Sequence, residues 1–257
     1  MIHAGGLPEQ WVGDDSVFER VNAQGTLNMA NAALAQRVEK FVYVSTQDMF
    51  DFNAAVFDET MPVTAPLASA YERSKQHAEE LVEQAVIRGL PAVFIHPVAV
   101  YGPGSVLPSG LNQFLCELQK GELPILIDGG MPVVLNTSLA KGIVALKDKA
   151  PIGEHYLFSD GYQSLLSMTQ SMNILEHSVA VPKVMPNFVA GFLAVVGELI
   201  AKITRSKPLI SRGELGVLRR KGRPSTAKVE QFIGWQPTPF DKGLYQTLPW
   251  LKEKGEQ

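Results

Sequence analysis

The run Lys40-Phe41-Val42-Tyr43-Val44-Ser45 is short, apolar and rich in β-branched and aromatic residues, which predicts a buried strand. Residues 1–6 are typical of the end of a strand that runs into a loop, and residues 92–96 predict another buried strand. Apolar residues at helical spacing predict helices over about 15–36 and 68–88. Because strands and helices alternate, the sequence predicts an α/β fold with right-handed crossovers and a parallel sheet.

The second half of the chain is less regular. We expect the first half to form a nucleotide-binding sheet and the later helices to form a small lobe over its strand ends, where such sheets bind ligands. The predicted strands cover 124–127 and 155–158, and the predicted helices cover 111–120, 138–147, 165–175, 187–203, 211–218, 226–233 and 240–252.

Composition excludes several classes of protein. The 257 residues carry a formal charge of -3, so nothing favours a nucleic-acid partner. The single cysteine, Cys116, can form neither an internal disulfide nor a cysteine metal site, and we predict no metal ligands. We therefore expect an inert Cys116 in a reducing compartment, the cytoplasm. The start shows no signal-peptide pattern, and residues 188–203 are apolar but too short for a convincing membrane span.

Tyr71 and Lys75 are four residues apart, which places them on one face of the second predicted helix. A nearby ammonium favours the phenolate, so the pair could handle protons near neutral pH. The same spacing also occurs by chance on surface helices. Ser45 and Thr46 end the preceding strand, where a hydroxyl faces the usual ligand crevice and could bind a substrate oxygen. Alternatively, these two residues simply terminate the strand.

Six blocks occur in order along the chain and together resemble one family, the extended short-chain dehydrogenase/reductases, also called the NAD-dependent epimerase/dehydratase family. The blocks are dense over residues 2–104. They are Ile2-His3-Ala4-Gly5, Asn22-Ala23-Gln24-Gly25-Thr26, Phe41-Val42-Tyr43-Val44-Ser45-Thr46, the Tyr71/Lys75 pair, His96-Pro97-Val98-Ala99-Val100-Tyr101-Gly102-Pro103-Gly104 and Ile233-Gly234-Trp235-Gln236-Pro237.

The resemblance implies a catalytic role for four residues. Tyr71 would be the general acid/base, and Lys75 would tune it and bind the nicotinamide ribose. Thr46 matches the catalytic Ser/Thr of the family and would bind the substrate oxygen, with Ser45 as the substitute. The cofactor, NAD or NADP, would contact both Tyr71 and Lys75.

Further contacts are implied by the same resemblance. Pro97 and the backbone from Val98 to Val100 would face the nicotinamide carboxamide. His3, Ala4 and Gly5 would lie along the phosphate–ribose portion, and Asn22 would brace the strand-end loops. Members of the family commonly form a homodimer through the two helices placed here at 15–36 and 68–88.

One motif of the family is missing from the sequence. The Gly-x-x-Gly-x-x-Gly turn that binds the pyrophosphate is not found, because Gly5-Gly6 with Gly13 has the wrong spacing. We therefore expect a truncated, Rossmann-like sheet lacking its first strands, weak or no dinucleotide binding, and an exposed apolar sheet edge. The expected domains are a dinucleotide-binding domain over 1–160, with 105–135 partly in the small lobe, and a substrate-binding lobe over 161–257.

The branch of the family is indicated by the two residues after Thr46 and by the tail. Gln47 and Asp48 stand where dehydratases carry an Asp-Glu pair, which argues against water elimination. The apolar 188–203 helix, Lys207-Pro208 and the cluster at 219–221 resemble the 3β-hydroxysteroid dehydrogenase branch. This implies a small, hydrophobic alcohol or ketone as substrate; 188–203 would line its pocket, touch a membrane surface or, by the plainer interpretation, pack in the lobe's core.

Two alternatives stay open at the level of sequence. A nucleotide-sugar epimerase would use the same Tyr71, Lys75 and Thr46, and it would also need arginines to bind the diphosphate of its substrate. A non-catalytic remnant or binding module would be consistent with the missing glycine-rich turn. The candidate arginines of the epimerase interpretation are Arg205, Arg212, Arg219 and Arg220.

Overall fold

A computed structural model describes most of the chain and has eleven short strands in the described part. The strands are β1 (Ile2–His3), β2 (Phe41–Val44), β3 (Val56–Phe57), β4 (Ala92–Pro97), β5 (Ala99–Tyr101), β6 (Ile125–Ile127), β7 (Gly130–Leu135), β8 (His155–Phe158), β9 (Gly161–Ser164), β10 (Lys183–Met185) and β11 (Arg223–Pro224). The described residues are 1–8, 12–64, 67–106, 108–177, 179–204 and 212–255.

The helices follow the predicted order closely, with one local departure. The first predicted helix contains a π-helical stretch, Glu19–Gln24, between two α-helical parts. The α-helices are α1 (Ser16–Phe18), α2 (Gly25–Ala35), α3 (Ala70–Ile87), α4 (Gly110–Lys120), α5 (Asn136–Lys147), α6 (Leu165–Glu176), α7 (Asn187–Thr204), α8 (Arg212–Leu218), α9 (Ala227–Ile233) and α10 (Phe240–Gly255).

The main sheet has four strands in the order β1-β2-β4-β8, and every neighbouring pair is parallel. Consecutive pairs are connected through helices, as parallel strands require. The predicted α/β fold with a Rossmann-like parallel sheet is therefore confirmed.

Contacts divide the chain into two compact units. The first comprises residues 1–97, 139–158 and 224–236, and the second comprises 98–138, 159–223 and 237–257. The units interleave because late segments return to the first sheet, whereas the predicted domains, 1–160 and 161–257, are continuous. That simpler division stays a prediction.

In the first unit, one face of the sheet is covered by α2 and α3. The strands contribute Phe41, Tyr43 and Phe94 to this core, and the helix contributes small residues such as Ala78 and Ala85. Small side chains let the helix lie close to large aromatic ones, so their volumes interlock. A capping box begins α3: Ser69 accepts from the backbone of Glu72, and the Glu72 carboxylate accepts from the backbone of Ser69. The helix that carries Tyr71 and Lys75 thus starts at a defined residue.

The second unit contains strands that the sequence patterns did not reveal. Strand β7 pairs parallel with β5 and antiparallel with β9. Gly130 and Pro132 interrupt its apolar run, and a proline cannot donate to a ladder, so the usual strand signal is weak there.

Helix α7, also in the second unit, packs through one face only. Among its side chains that the structure describes, the buried ones are Ala190, Ala194 and Ala201, and the first two form a cluster with Leu215. Phe188 and Phe192 are 80% and 69% exposed on its other face. Among the described residues, none of the helices is both long enough and apolar enough to span a membrane.

Candidate active site

The end of β2 carries two hydroxyls with different surroundings. Ser45 Oγ donates to the carboxylate of Glu79 on α3 in a short hydrogen bond. Thr46 Oγ1 donates to Asp48 Oδ2 at 2.9 Å, and both hydroxyl residues are buried. Adjacent strand residues face opposite sides, which is why Ser45 meets the helix layer and Thr46 meets the strand-end loop. Of the two, Thr46 is therefore the better candidate for a substrate oxygen.

Lys75 joins helix α3 to the end of β2. Its Nζ donates to the backbone oxygen of Val44 at 3.0 Å and lies 4.8 Å from the centre of the Tyr43 ring. Burial lowers the pKa of Lys75 to about 8, and the nearby Glu79 opposes this effect. Helix α3 thus brings Lys75 to the end of β2, and its catalytic role stays a prediction.

Tyr71 lies one helical turn before Lys75 on the same face of α3, and it is only partly buried. Its ring meets Phe18 edge to face, with 6.2 Å between the ring centres. Its backbone oxygen accepts from Ser74 Oγ at 2.7 Å. The ring therefore packs against the first helical segment, and part of its surface remains open.

Asn22 is almost completely buried and braces the loop after β1. Its side chain accepts from the backbone of Leu7 at 2.7 Å, and Nδ2 lies 3.2 Å from the Leu7 oxygen. Nδ2 also donates to Ser74 Oγ at 2.9 Å. The amide therefore ties the loop after the first strand to the helix that carries Tyr71 and Lys75.

The residues implied for cofactor contact lie in both units. His3 bonds to Thr26 Oγ1 at 3.0 Å, and burial, followed by the charge of Lys75, lowers its pKa. Ala4 and Gly5 are exposed directly after β1, and Pro97 is buried in β4. The last two, Val98 and Val100, belong to the second unit. Their roles stay predictions.

A buried polar cluster beneath this site was not foreseen. Glu79 on α3, His96 on β4 and His155 on β8 gather beside Ser45. Burial raises the pKa of Glu79 to about 8 and lowers that of His155 to about 4; it also lowers the pKa of His96 well below its usual value. The three residues are far apart in sequence and form no motif together; His96 alone was named, as the end of a predicted strand and the start of one family block.

Lys75 and the loop after β1 fit one half of a nicotinamide dinucleotide. An ammonium has three donors, and Lys75 uses one on Val44, so the group can also hold ribose hydroxyls at the strand end. The open backbone at Ala4 and Gly5 is accessible to a ligand. For the pyrophosphate half, the 257-residue sequence contains no glycine-rich turn of the expected spacing. The fit is therefore to the nicotinamide–ribose portion.

Known proteins resemble this chain along most of its length. A sequence model of the NAD-dependent epimerase/dehydratase family matches residues 1–137. Sterol-4-alpha-carboxylate 3-dehydrogenase (decarboxylating) of Candida albicans is 25% identical over 96% of this chain and 74% of its own. Sterol demethylase protein B of Methylococcus capsulatus is 21% identical over 95% of this chain and 75% of its own.

Solved structures show the same fold. UDP-glucuronic acid 4-epimerase from Bacillus cereus, in complex with NAD, superposes with a TM-score of 0.75 at 16% sequence identity. The match covers 98% of this chain and 74% of the epimerase. At this identity the likeness concerns the fold alone.

Proposed function

The chain belongs to the NAD-dependent epimerase/dehydratase family, and we propose that it oxidises or reduces a hydroxyl or ketone of a small, hydrophobic substrate. NAD is the cofactor of this family. The proposal rests mainly on one observation: the ammonium of Lys75 donates to Val44 at the end of β2, two residues before Thr46, and Tyr71 lies one helical turn earlier on α3.

The chain's own residues would handle the proton and orient the substrate. Tyr71 would take the proton of the carbinol oxygen during oxidation and return it during reduction, because Lys75 stabilises the charged phenolate. The Thr46 hydroxyl would donate to the same oxygen. It donates to Asp48 in the structure, so the substrate oxygen would have to replace Asp48 as the acceptor. Bound NAD(P) would supply the chemistry of accepting or giving hydride.

Lys75, Tyr71 and the open backbone of Ala4 and Gly5 would hold the nicotinamide–ribose half of the cofactor. Without a glycine-rich turn in these 257 residues, we expect weak affinity for the whole dinucleotide. NAD and NADP are both retained in the proposal.

Two observations support a hydrophobic substrate. Both sterol enzymes are similar to this chain over nearly its whole length. Helix α7 also turns Phe188 and Phe192 outward, which suits an apolar ligand or a membrane surface. Contact with a membrane surface is the alternative use of these two side chains.

A nucleotide-sugar epimerase is the second candidate, supported by the fold it shares with a UDP-glucuronic acid 4-epimerase. Of the arginines considered for a diphosphate, Arg205 lies outside the described residues, and the side chain of Arg212 is not described. Lys207-Pro208 of the tail pattern also lies outside the described residues. Arg219 and Arg220 have other interactions in the structure. A non-catalytic remnant or binding module is the third candidate.

The proposal is tested by assaying the purified chain at millimolar NAD(H) and NADP(H) with a hydrophobic ketone or alcohol and, separately, with a UDP-sugar. We expect turnover of the hydrophobic substrate only. Tyr71→Phe should lower it by about 10²–10⁴-fold, because the proton-transfer group is lost. Thr46→Val should lower it by about 10²-fold or more, and Ser45→Ala by less.

Tyr245→Phe is the matched control, since it removes the same hydroxyl from a tyrosine that is 68% exposed on α10. It should keep the wild-type rate. Conversion of the UDP-sugar instead would favour the epimerase. Activity that survives Tyr71→Phe, or its absence at any cofactor concentration, would reject the oxidoreductase proposal.

Assembly and location complete the proposal. We place the homodimer contact on the two helical segments at 15–36 and 68–88, whose exposed apolar residues include Val21 and Met29. The cytoplasm is the proposed location, consistent with a single, buried Cys116.

A further inference from the structure

Glu79, His96 and His155 bring three metal-binding groups together inside the first unit. One comes from α3, one from β4 and one from β8, and their ligand atoms all lie within 4.8 Å of one another. His96 Nε2 and His155 Nδ1 are 2.9 Å apart, and His155 Nδ1 lies 3.6 Å from Glu79 Oε1. We propose that these three residues form a binding site for a divalent transition-metal ion, Zn²⁺ in particular.

The spacing suits a tetrahedral ion. With bonds of about 2.1 Å to nitrogen and oxygen, such an ion holds neighbouring ligand atoms about 3.4 Å apart. The observed 2.9 Å and 3.6 Å separations lie on either side of that value. Shifts of about half an ångström would bring these two pairs to that spacing, and the third pair, which lies within 4.8 Å, would have to close by up to about 1.4 Å. A water molecule would take the fourth position, as at other zinc sites with three protein ligands.

The surrounding hydrogen bonds fix which atoms of His96 and Glu79 face the cluster. His96 Nδ1 lies 3.0 Å from the backbone oxygen of Thr46, which can only accept, so Nδ1 carries the proton and Nε2 presents a lone pair to the cluster. Ser45 donates to Glu79 Oε2, which leaves Oε1 on the side of His155. Both His96 and Glu79 thus have an outer partner of the kind that metal sites use.

Aromatic packing fixes the two imidazole rings. His155 stacks on Phe94, with ring centres 4.3 Å apart and 3° between the planes. His96 meets Phe50 edge to face at 4.7 Å. The two rings are nearly parallel, with centres 5.1 Å apart and 15° between the planes, so their facing nitrogens point at each other and both rings would turn toward a shared ion on binding.

The chemistry of the donors selects the metal. Two imidazoles and one carboxylate suit Zn²⁺, Co²⁺ or Ni²⁺, whereas Mg²⁺ and Ca²⁺ prefer oxygen ligands. Without metal, the Nδ1 proton of His155 can donate to His96 Nε2. On binding, His155 would adopt its other neutral tautomer, with the proton on Nε2. The side chain of His155 is 24% exposed while that of His96 is 0%, so the ion would enter from the His155 side.

The site is tested by titrating Zn²⁺ into the chelator-treated chain and measuring the heat of binding. We expect one ion per chain, and His155→Ala should weaken binding at least about tenfold because a ligand is lost. His77→Ala is the matched control: His77 lies on the same helix as Glu79, exposed and paired with Glu19 at 2.6 Å, so its loss should leave the affinity unchanged.

Thermal unfolding provides a second measurement. Zn²⁺ should raise the Tm of the wild type but not that of His155→Ala, and Mg²⁺ should shift neither. If His155→Ala does not fold, Glu79→Gln replaces it, because glutamine keeps the size of the side chain but is a poor ligand. Absence of one-ion binding in the wild type, or equal Zn²⁺ affinity in the ligand variants and the wild type, would overturn the proposal.

Discussion

At the scale of single residues, the candidate site holds groups whose burial is costly. Lys75 is almost fully buried, and its carbonyl contact and the Tyr43 ring compensate only partly for lost hydration. A folded-state pKa of about 8, below the usual value for lysine, expresses that cost. Groups with such a cost are concentrated at functional sites, which supports the proposed role of Lys75.

We expect Lys75→Met to stabilise the fold at pH 7 while lowering turnover. Below about pH 8, Lys75 is charged in the folded chain, and its burial destabilises the fold. Between pH 8 and the unfolded-state pKa of about 10.5, the unfolded chain binds more protons than the folded chain, so stability rises with pH. The gain from methionine should therefore be about 3 kcal/mol at pH 7 and shrink by pH 10. Urea unfolding at both pH values measures it.

Lys120→Met serves as the control for that experiment, since Lys120 is exposed at the end of α4. Its effect on the free energy of unfolding should be small and similar at both pH values. A destabilised Lys75→Met at pH 7 would show that the contacts of the ammonium outweigh its burial.

At the scale of secondary-structure elements, α5 packs very closely against β8 and Trp235 in the first unit. Gly142 faces Phe158 of β8 and Trp235, whose rings meet edge to face with centres 5.2 Å apart. A Cβ atom on Gly142 would lie 2.3 Å from Phe158 and 3.1 Å from Trp235. The late Gly234-Trp235 block thus has a structural role as well as a place in the family pattern.

The substitution Gly142→Ala tests whether packing or helix propensity dominates, because the two predict changes of opposite sign in the free energy of unfolding. Propensity alone predicts a gain of about 1 kcal/mol, whereas the clash with two aromatic rings predicts a loss of about 1–3 kcal/mol. We expect the loss, measured as a lower free energy of unfolding in urea.

Gly216→Ala on α8 is the matched comparison, because nothing lies within 4 Å of an added Cβ there. This variant should be neutral or slightly stabilising. A Gly142→Ala protein as stable as Gly216→Ala would mean that α5 can move away from the sheet at little cost.

At the scale of the whole molecule, the helices that cover the sheet also expose apolar surface. Val21 is 44% exposed and Met29 is 37% exposed on the segment that the family resemblance assigns to a dimer contact. Single exposed apolar residues are common, so their presence alone decides nothing. The family pattern and their position together make the dimer worth testing.

We expect the chain to have the mass of a dimer by size-exclusion chromatography with light scattering. Val21→Glu should shift it toward the monomer, because a buried, unpaired charge is unfavourable at an interface. Val56→Glu, on the 61% exposed Val56 of β3, should leave the mass unchanged. A monomeric wild type at micromolar concentration would remove the dimer from the proposal.

Local patterns in the sequence determined the order and type of the main elements. The apolar run at 40–45 and the helical spacing through Tyr71 and Lys75 depend on neighbours within a few residues, so they are readable without a structure. The short strands of the second unit were missed, because glycine and proline interrupt β7 and its ladder depends on distant partners.

Only the tertiary structure decided which polar groups meet. Ser45 and Thr46 are adjacent and alike in sequence, yet one faces Glu79 and the other Asp48. Glu79, His96 and His155 share no spacing that a motif could encode, because α3, β4 and β8 bring them together only when the parallel sheet forms. Local propensity acts over a few bonds, whereas a site depends on contacts that chain folding creates between distant segments.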